Sequence, residues 1–139
     1  MRYLGLDLGT RTLGCSISDI SGTIASTLKT IRFPDSEYSV LIPQIKDIVQ
    51  EFEVGEIVLG FPKNMNNTIG PRGETTLEFK KMLESELGLE VILQDERLST
   101  VEATHYLLQA DLSRKKRKKK VDSLAANIIL QTYLDKKKG

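Results

Sequence analysis

The sequence contains very little of what builds disulfides, zinc sites and histidine-based catalytic centres. Its 139 residues include one cysteine, one histidine and no tryptophan. The single Cys15 permits no internal disulfide and no cysteine-based zinc site. A histidine-rich metal centre is excluded as well, and a serine–histidine triad would have to use His105. The absence of tryptophan weakens any case for a protein that binds its ligand on a platform of large aromatic side chains.

Long hydrophobic stretches are also missing. No apolar run approaches the roughly 18 residues that a membrane span needs. The N-terminal segment reaches an acidic residue at Asp7, which does not fit the hydrophobic region of a secretory leader. With 40% hydrophobic and 28% charged residues, the composition is that of an ordinary globular protein. We therefore expect one cytoplasmic domain that spans residues 1–139 and does not bind a membrane.

Charge is distributed unevenly along the chain, although the net charge is only +1. Residues 1–113 contain 10 Lys/Arg against 17 Asp/Glu, whereas residues 114–139 contain 10 against 2. This asymmetry predicts a basic surface that could bind a polyanion, although a merely solvated stretch of charge is the simpler alternative. We call its centre the basic segment, which consists of Arg114, Lys115, Lys116, Arg117, Lys118, Lys119 and Lys120.

The spacing of apolar residues predicts the element order βββαβαβαα. Three closely spaced strands joined by tight turns indicate an antiparallel meander, and the later β-α-β units indicate parallel strands. The expected fold is α/β and RNase H-like, with a mixed five-stranded sheet flanked by helices. We expect strands at 2–8, 12–19, 23–32, 56–61 and 90–94, and helices from about 39 until Gly55 ends the first, at 71–87, at 99–109 and from about 121.

Asp7 is an unusual residue for its position, because it lies in an apolar strand between Leu6 and Leu8. A carboxylate there is costly unless something pairs with it. Strand alternation places Asp7 on the opposite face from its two leucine neighbours, where it could face an active-site edge. The alternative is that Asp7 caps the strand end by bonding to the turn at Gly9–Thr10.

Two further acidic sites stand where the RNase H-like topology would bring them to the same edge. Asp95 and Glu96 close the fifth strand and should point to opposite faces. Asp122 follows the basic segment at the expected start of the last helix, where an acid also suits the helix dipole. Carboxylates without a histidine cluster suit Mg²⁺ or Mn²⁺, and two such ions roughly 3.5–4 Å apart can promote phosphodiester cleavage. The basic segment would then hold substrate phosphates.

Four blocks of sequence are spread in order over nearly the whole length: 5–14, 60–65 with 70–73, 95–100, and 120–126. Together they resemble the YqgF/RuvX family of Holliday-junction-resolvase-like nucleases, also described as pre-16S rRNA nucleases. The resemblance implies a divalent-metal nuclease that acts in rRNA maturation. Cleavage of Holliday junctions, or nucleic-acid binding without catalysis, are the alternatives. The resemblance also implies metal ligands at Asp7, at Glu96 or Asp95, and at Asp122, with Asp7, Glu96 and Asp122 as the catalytic residues.

Other polar residues are candidates for contact with substrate phosphates. Asn64 and Arg72 flank a loop that leads into a helix N-terminus, where anions bind readily. Arg97 could contact a phosphate or pair with an acid, and Arg11 in the turn after Asp7 is a candidate of the same kind. The expected partner is RNA, as pre-rRNA, or branched DNA, and the protein is expected to be a monomer or a weak homodimer.

A different enzyme class shares one of these motifs. The Asp7–Thr10 turn also resembles the first phosphate loop of the sugar-kinase, heat-shock and actin ATPases. Those ATP sites need two such domains facing a cleft, and 139 residues have room for one. Tight binding of ATP would favour this alternative.

Overall fold

A computed structural model describes residues 1–61, 71–95 and 114–138. Within these ranges, no helix combines the length and the hydrophobicity that a membrane crossing requires. The strands are β1 (Arg2–Leu8), β2 (Thr12–Ser18), β3 (Ala25–Arg32), β4 (Val54–Phe61) and β5 (Val91–Asp95). The helices are α1 (Leu41–Phe52), α2 (Pro71–Leu87) and α3 (Arg114–Lys138). A 3-10 turn at Tyr38–Val40 precedes α1.

The five strands form one mixed sheet in the order β3-β2-β1-β4-β5. The pairs β1–β2 and β2–β3 are antiparallel, because short turns connect them. The pairs β1–β4 and β4–β5 are parallel. The α/β fold with its RNase H-like strand order is therefore confirmed.

Alternation along β1 divides the core between the two faces of the sheet. Leu4 and Leu6 are fully buried in the larger cluster, together with residues of α1 and α2. Tyr3 lies on the other face, in a smaller cluster with Ile129 and Leu130 of α3. Asp7 has the same parity as Tyr3, so it lies on the face that α3 covers, as alternation predicted.

The end of α1 differs from the prediction. The helix ends at Phe52, and Glu53 follows in the left-handed conformation with φ 53° and ψ 49°. Gly55 lies inside β4 instead of ending the helix. A Cβ at Gly55 would lie 2.9 Å from Cγ of Met1. This glycine therefore permits close contact with the N-terminal residue and does not terminate α1.

The start of the last helix also differs from the prediction. α3 begins at Arg114, so the basic segment forms its first two turns. Counted from Arg114, Asp122 is the ninth residue and lies in the third turn. The suggestion that Asp122 complements the helix dipole is therefore wrong, since that effect falls off beyond the first turn.

Candidate active site

Asp7 is a partly buried carboxylate near the end of β1. Among the residues that the structure describes, its side chain has neither a hydrogen-bond partner nor an ion-pair partner. The capping alternative is not observed, because the N–H of Gly9 donates instead to the carbonyl of Thr12 over 2.8 Å. An unpaired charge in such a place is costly, and a bound cation would offset that cost.

The positions beside Asp7 on the two neighbouring strands are glycines. Gly14 lies directly opposite on β2. On β4, Leu59 pairs with Leu6, so Gly60 lies at the level of Asp7. Both glycines are buried and neither carries a side chain, so no side chain from these two positions crowds the carboxylate.

The parallel register brings the end of β5 to the same edge. Gly60 pairs with Gln94, and Phe61 pairs with Asp95, the last residue of the strand. Gln94 therefore shares the row of Asp7. Glu96 lies outside the described residues.

Contacts along α3 establish its direction relative to β1. The hydroxyl of Ser16 donates to the carbonyl of Ala126 over 2.9 Å. A Cβ at Gly5 would lie 3.1 Å from that carbonyl oxygen and 2.7 Å from Cβ of Leu130. Closer to the C-terminus, the ammonium of Lys137 donates to the Tyr3 hydroxyl over 2.9 Å. The helix therefore runs antiparallel to β1.

This direction carries the backbone of Asp122 toward the Asp7 end of the sheet. Asp122 precedes Ala126 by four residues, which is about 6 Å along a helix. Asp7 follows Gly5 by two residues, which is about 7 Å along a strand. The direction of α3 is therefore compatible with the expectation that Asp7 and Asp122 act together.

The opposite end of α3 is fixed by a polar and aromatic cluster. The rings of Tyr3 and Tyr133 meet edge-on at 6.1 Å between centroids, and Lys137 lies 5.0 Å from the Tyr3 ring centre. The Tyr133 hydroxyl donates to Glu56 over 2.9 Å. Burial first, and then this bond to a carboxylate, raises the pKa of Tyr133 to about 12. This arrangement anchors α3 over the sheet.

The full set of expected ligands is not described. Within residues 1–61, 71–95 and 114–138, no three His, Cys, Asp or Glu side chains form a group that could hold a metal ion. Asp7 is the described member of the set, and the side chains of Asp95 and Asp122 lie outside the described residues, as does all of Glu96. The fit to a hard cation rests on Asp7, which presents carboxylate oxygens that have no partner among the described side chains.

The candidate phosphate-binding residues fall into three groups. Arg11 pairs with Asp35 over 3.7 Å, with side chains 75% and 59% exposed, and such an exposed pair is weak. Arg72 is the second residue of α2, although its side chain is outside the described residues. Asn64 and Arg97 lie outside them altogether. The basic segment is helical, and seven consecutive positions span nearly two turns, so its charge is not confined to one face.

The structure also contains a feature that the sequence did not predict. A cleft of about 230 Å³ opens where β1 ends, and Gly9, Thr10 and Tyr38 are among its lining residues. Its hydroxyl-bearing residues come from three separate segments and share no spacing, so no sequence signal could have found them.

The comparisons with solved structures first define the class of fold. RuvC of Thermus thermophilus bound to a Holliday junction matches with a TM-score of 0.62 at 15% identity, over 100% of this chain and 96% of that chain. The Fowlpox virus resolvase bound to Holliday junction DNA matches with a TM-score of 0.57 at 12% identity, over 98% of each chain. The fold is that of the RNase H-like resolvases.

The sequence comparisons define the family. The profile of RuvX, described as Holliday junction resolvase, matches residues 1–136, so the chain belongs to the RuvX family. A relative from Geobacillus sp. (strain WCH70) is 53% identical over 137 residues, 99% of each chain. A relative from Bacillus subtilis (strain 168) is 48% identical over 135 residues, 97% of this chain and 98% of its own. Both carry the name "Putative pre-16S rRNA nuclease".

Proposed function

We propose that this protein is a single-domain, divalent-metal-dependent nuclease that processes the 5′ end of the 16S rRNA precursor in the cytoplasm. The observation that carries the proposal is the Asp7 carboxylate, which is partly buried, unpartnered within the described residues and flanked by glycines. The choice of substrate is supported by membership of the RuvX family and by the name shared by two relatives that are 53% and 48% identical to this chain.

The metal would be held by Asp7, Asp122 and Glu96, with Asp95 as the alternative to Glu96. The acidic pair follows Gln94, which lies in the row of Asp7, and Glu96 is the member of the pair that we favour. Carboxylate oxygens suit Mg²⁺ or Mn²⁺. When bound, such ions activate water for attack on the phosphodiester and stabilise the leaving oxygen.

The protein's own contribution is to admit and position the nucleic acid. Gly14 and Gly60 place no side chain beside the Asp7 carboxylate, to which a backbone phosphate would come close. The basic segment would attract the strand through contacts that do not depend on sequence, assisted by the other candidate residues. Those candidates are Arg11, Asn64, Arg72 and Arg97. The contacts of α3 with Ser16 and Tyr3 fix the direction of the helix, which supports the proposal that Asp122 acts together with Asp7.

Cleavage of four-way DNA junctions is the second candidate function. It is supported by the family description and by the fold shared with two resolvases bound to junction DNA. The same carboxylates and basic segment would serve either substrate, because the chemistry at the phosphate is the same.

The test compares wild type with Asp7→Asn on a precursor 16S rRNA fragment and on a four-way DNA junction, with Mg²⁺, with Mn²⁺ and with EDTA. We expect wild type to cut the RNA only when a metal is present, and Asp7→Asn to bind it normally without cutting. Asp47→Asn is the matched control, since Asp47 is exposed on α1. Preferential cleavage of the junction would support the resolvase function, and binding without cleavage of either substrate would indicate a non-catalytic module.

A further inference from the structure

The cleft at the end of β1 lies on the α1 and α2 side of the sheet, close along the chain to Asp7 but with a different chemistry. Five of the seven described residues that line it carry a hydroxyl group, and none of these seven is charged. It is formed by Leu8, Gly9 and Thr10, by Ser36 and Tyr38, and by Thr75 and Thr76.

Tyr38 presents a hydroxyl at a fixed place. Its ring contacts those of Phe33 and Phe79, with centroid distances of 5.7 Å and 6.2 Å. Within the described parts of the chain the Tyr38 hydroxyl makes no hydrogen bond, although the side chain is partly buried. This hydroxyl is not among the fully buried polar atoms, so a ligand in the cleft could bond to it.

The neighbouring wall is built with a defined polarity. The N–H of Ser36 donates to the carbonyl of Thr10 over 2.9 Å, which joins two lining segments. The Ser36 hydroxyl donates to Asp35 over 3.0 Å, so its oxygen can act only as an acceptor toward the cleft. Ser36 has a φ of 62°, a costly conformation for a residue other than glycine. This wall therefore offers a hydrogen-bond acceptor at Ser36. The nearby Tyr38 hydroxyl can both donate and accept a hydrogen bond.

The described lining suits a sugar hydroxyl better than a phosphate, since it offers hydroxyl groups and none of these seven residues is charged. Sites that bind phosphates commonly supply Arg or Lys. The 2′-hydroxyl of ribose both donates and accepts, and it is the group that distinguishes RNA from DNA. The volume of about 230 Å³ is smaller than a typical site for a drug-sized ligand and suits a single sugar.

The position of the cleft fits a neighbouring nucleotide of the same strand. Gly9 follows Asp7 by two residues, which limits the separation of their Cα atoms to about 7 Å. Asp7 faces α3, whereas Leu8 faces the cleft on the opposite side of the sheet, so a strand with its scissile phosphate at Asp7 would pass round the end of β1 to place an adjacent sugar in the cleft.

We infer that this cleft is a ribose subsite in which Tyr38, Thr10 and Ser36 recognise the 2′-hydroxyl of a nucleotide next to the scissile phosphate. The inference rests on the proposed nuclease function and deepens it, because it makes RNA the strand for which the site is built.

The experiment measures binding by fluorescence anisotropy in EDTA, so that no cleavage occurs. The probes are an RNA oligonucleotide from the 5′ region of the 16S precursor and a series in which each nucleotide in turn is 2′-deoxy. For wild type we expect one position at which the deoxy substitution weakens binding about 3- to 10-fold, as the removal of one hydrogen bond implies. In Tyr38→Phe and Thr10→Val that penalty should shrink or disappear.

Two controls make the result specific. Tyr133→Phe also removes a tyrosine hydroxyl, but at the other end of the sheet. We expect this variant to lose as much affinity as wild type when the critical nucleotide is 2′-deoxy. Thr10 is exposed, so Thr10→Val tests the cleft even if Tyr38→Phe fails to fold. The subsite is refuted if no position shows a penalty in wild type, or if the penalty persists unchanged in both variants. Because binding is measured without metal, this result is independent of whether the protein cuts RNA.

Discussion

The hydroxyl of Ser16 on β2 bonds to the carbonyl of Ala126 on α3, although the two residues are 110 positions apart in the sequence. Both residues are fully buried. The bond joins the sheet to the helix at a place where Gly5 lets the two backbones approach. Four residues earlier on the same helix is Asp122, so this contact fixes the level of a proposed metal ligand.

Replacement of Ser16 by alanine should lower the free energy of unfolding by about 1–2 kcal/mol, because a buried carbonyl loses its side-chain donor. It should also reduce cleavage more than it reduces RNA binding, since the level of Asp122 is less firmly held. Urea unfolding and cleavage rates check both effects. Ser26→Ala on exposed β3 is the control and should stay within about 0.5 kcal/mol of wild type. Equal stability of the two variants would show that the bond does not hold α3.

Neutralising the basic segment should weaken binding to all nucleic acids alike. We expect that changing Lys115, Lys116, Lys118 and Lys119 to Gln lowers the slope of log affinity against log salt, by about 0.7–0.9 for each phosphate that the variant no longer neutralises. Titrations at several salt concentrations with two unrelated RNA sequences check this. Lys81→Gln on the exposed side of α2 is the control. An unchanged slope in the fourfold variant would show that the basic segment does not contact the nucleic acid.

The Cys15 thiol should resist alkylation in the native protein. Burial raises its pKa from 9.0 to about 12, with the charge of Lys29 acting weakly in the opposite direction. The thiolate is the reactive form, so iodoacetamide at pH 8 should modify Cys15 only after unfolding in urea. Because the unfolded state loses this proton first, Cys15 should also make stability fall as the pH rises from about 9 toward 12. Rapid labelling of the folded protein at pH 8, followed by mass spectrometry, would contradict this prediction.

The sheet could be predicted from the sequence because its signal is strong and local. Alternation in 2–8 and 12–18 marks the buried face of each strand, and the register then follows from short turns. The opposite placement of Asp7 and its leucine neighbours came from the same alternation. The proline at the first position of α2 and the glycine after its last residue likewise gave both ends of that helix.

The two errors in the helices have different physical causes. Gly55 was expected to end α1 by the usual preference for glycine after a helix, but Glu53 takes the left-handed conformation there and Gly55 lies in β4 against the Met1 side chain. The start of α3 was placed too late because the basic segment has no apolar residue, and the hydrophobic pattern therefore gives no information there. Lys and Arg are good helix formers, and their intrinsic propensity was the available signal.

The candidate site could be predicted only in part. Asp7 stood out because an acid in an apolar strand is rare, and its surroundings now support the expectation. The glycines beside it and the Tyr38 hydroxyl, which has no partner within the described residues, depend on strand pairing and on contacts between distant segments, which the sequence does not reveal. The joint placement of Asp7, Glu96 and Asp122 stays a prediction.

Because α3 is one continuous helix, the angle between Ala126 and Asp122 about the helix axis is fixed. A single residue inserted between them would turn position 122 by about 100° about the helix axis, while the packing of Ile129, Leu130 and Leu134 could remain as it is. We expect such a variant to fold normally but to lose the proposed nuclease activity. In this family the spacing of these two residues should consequently tolerate no insertions or deletions, whereas lengthening the chain before Arg114 should be tolerated.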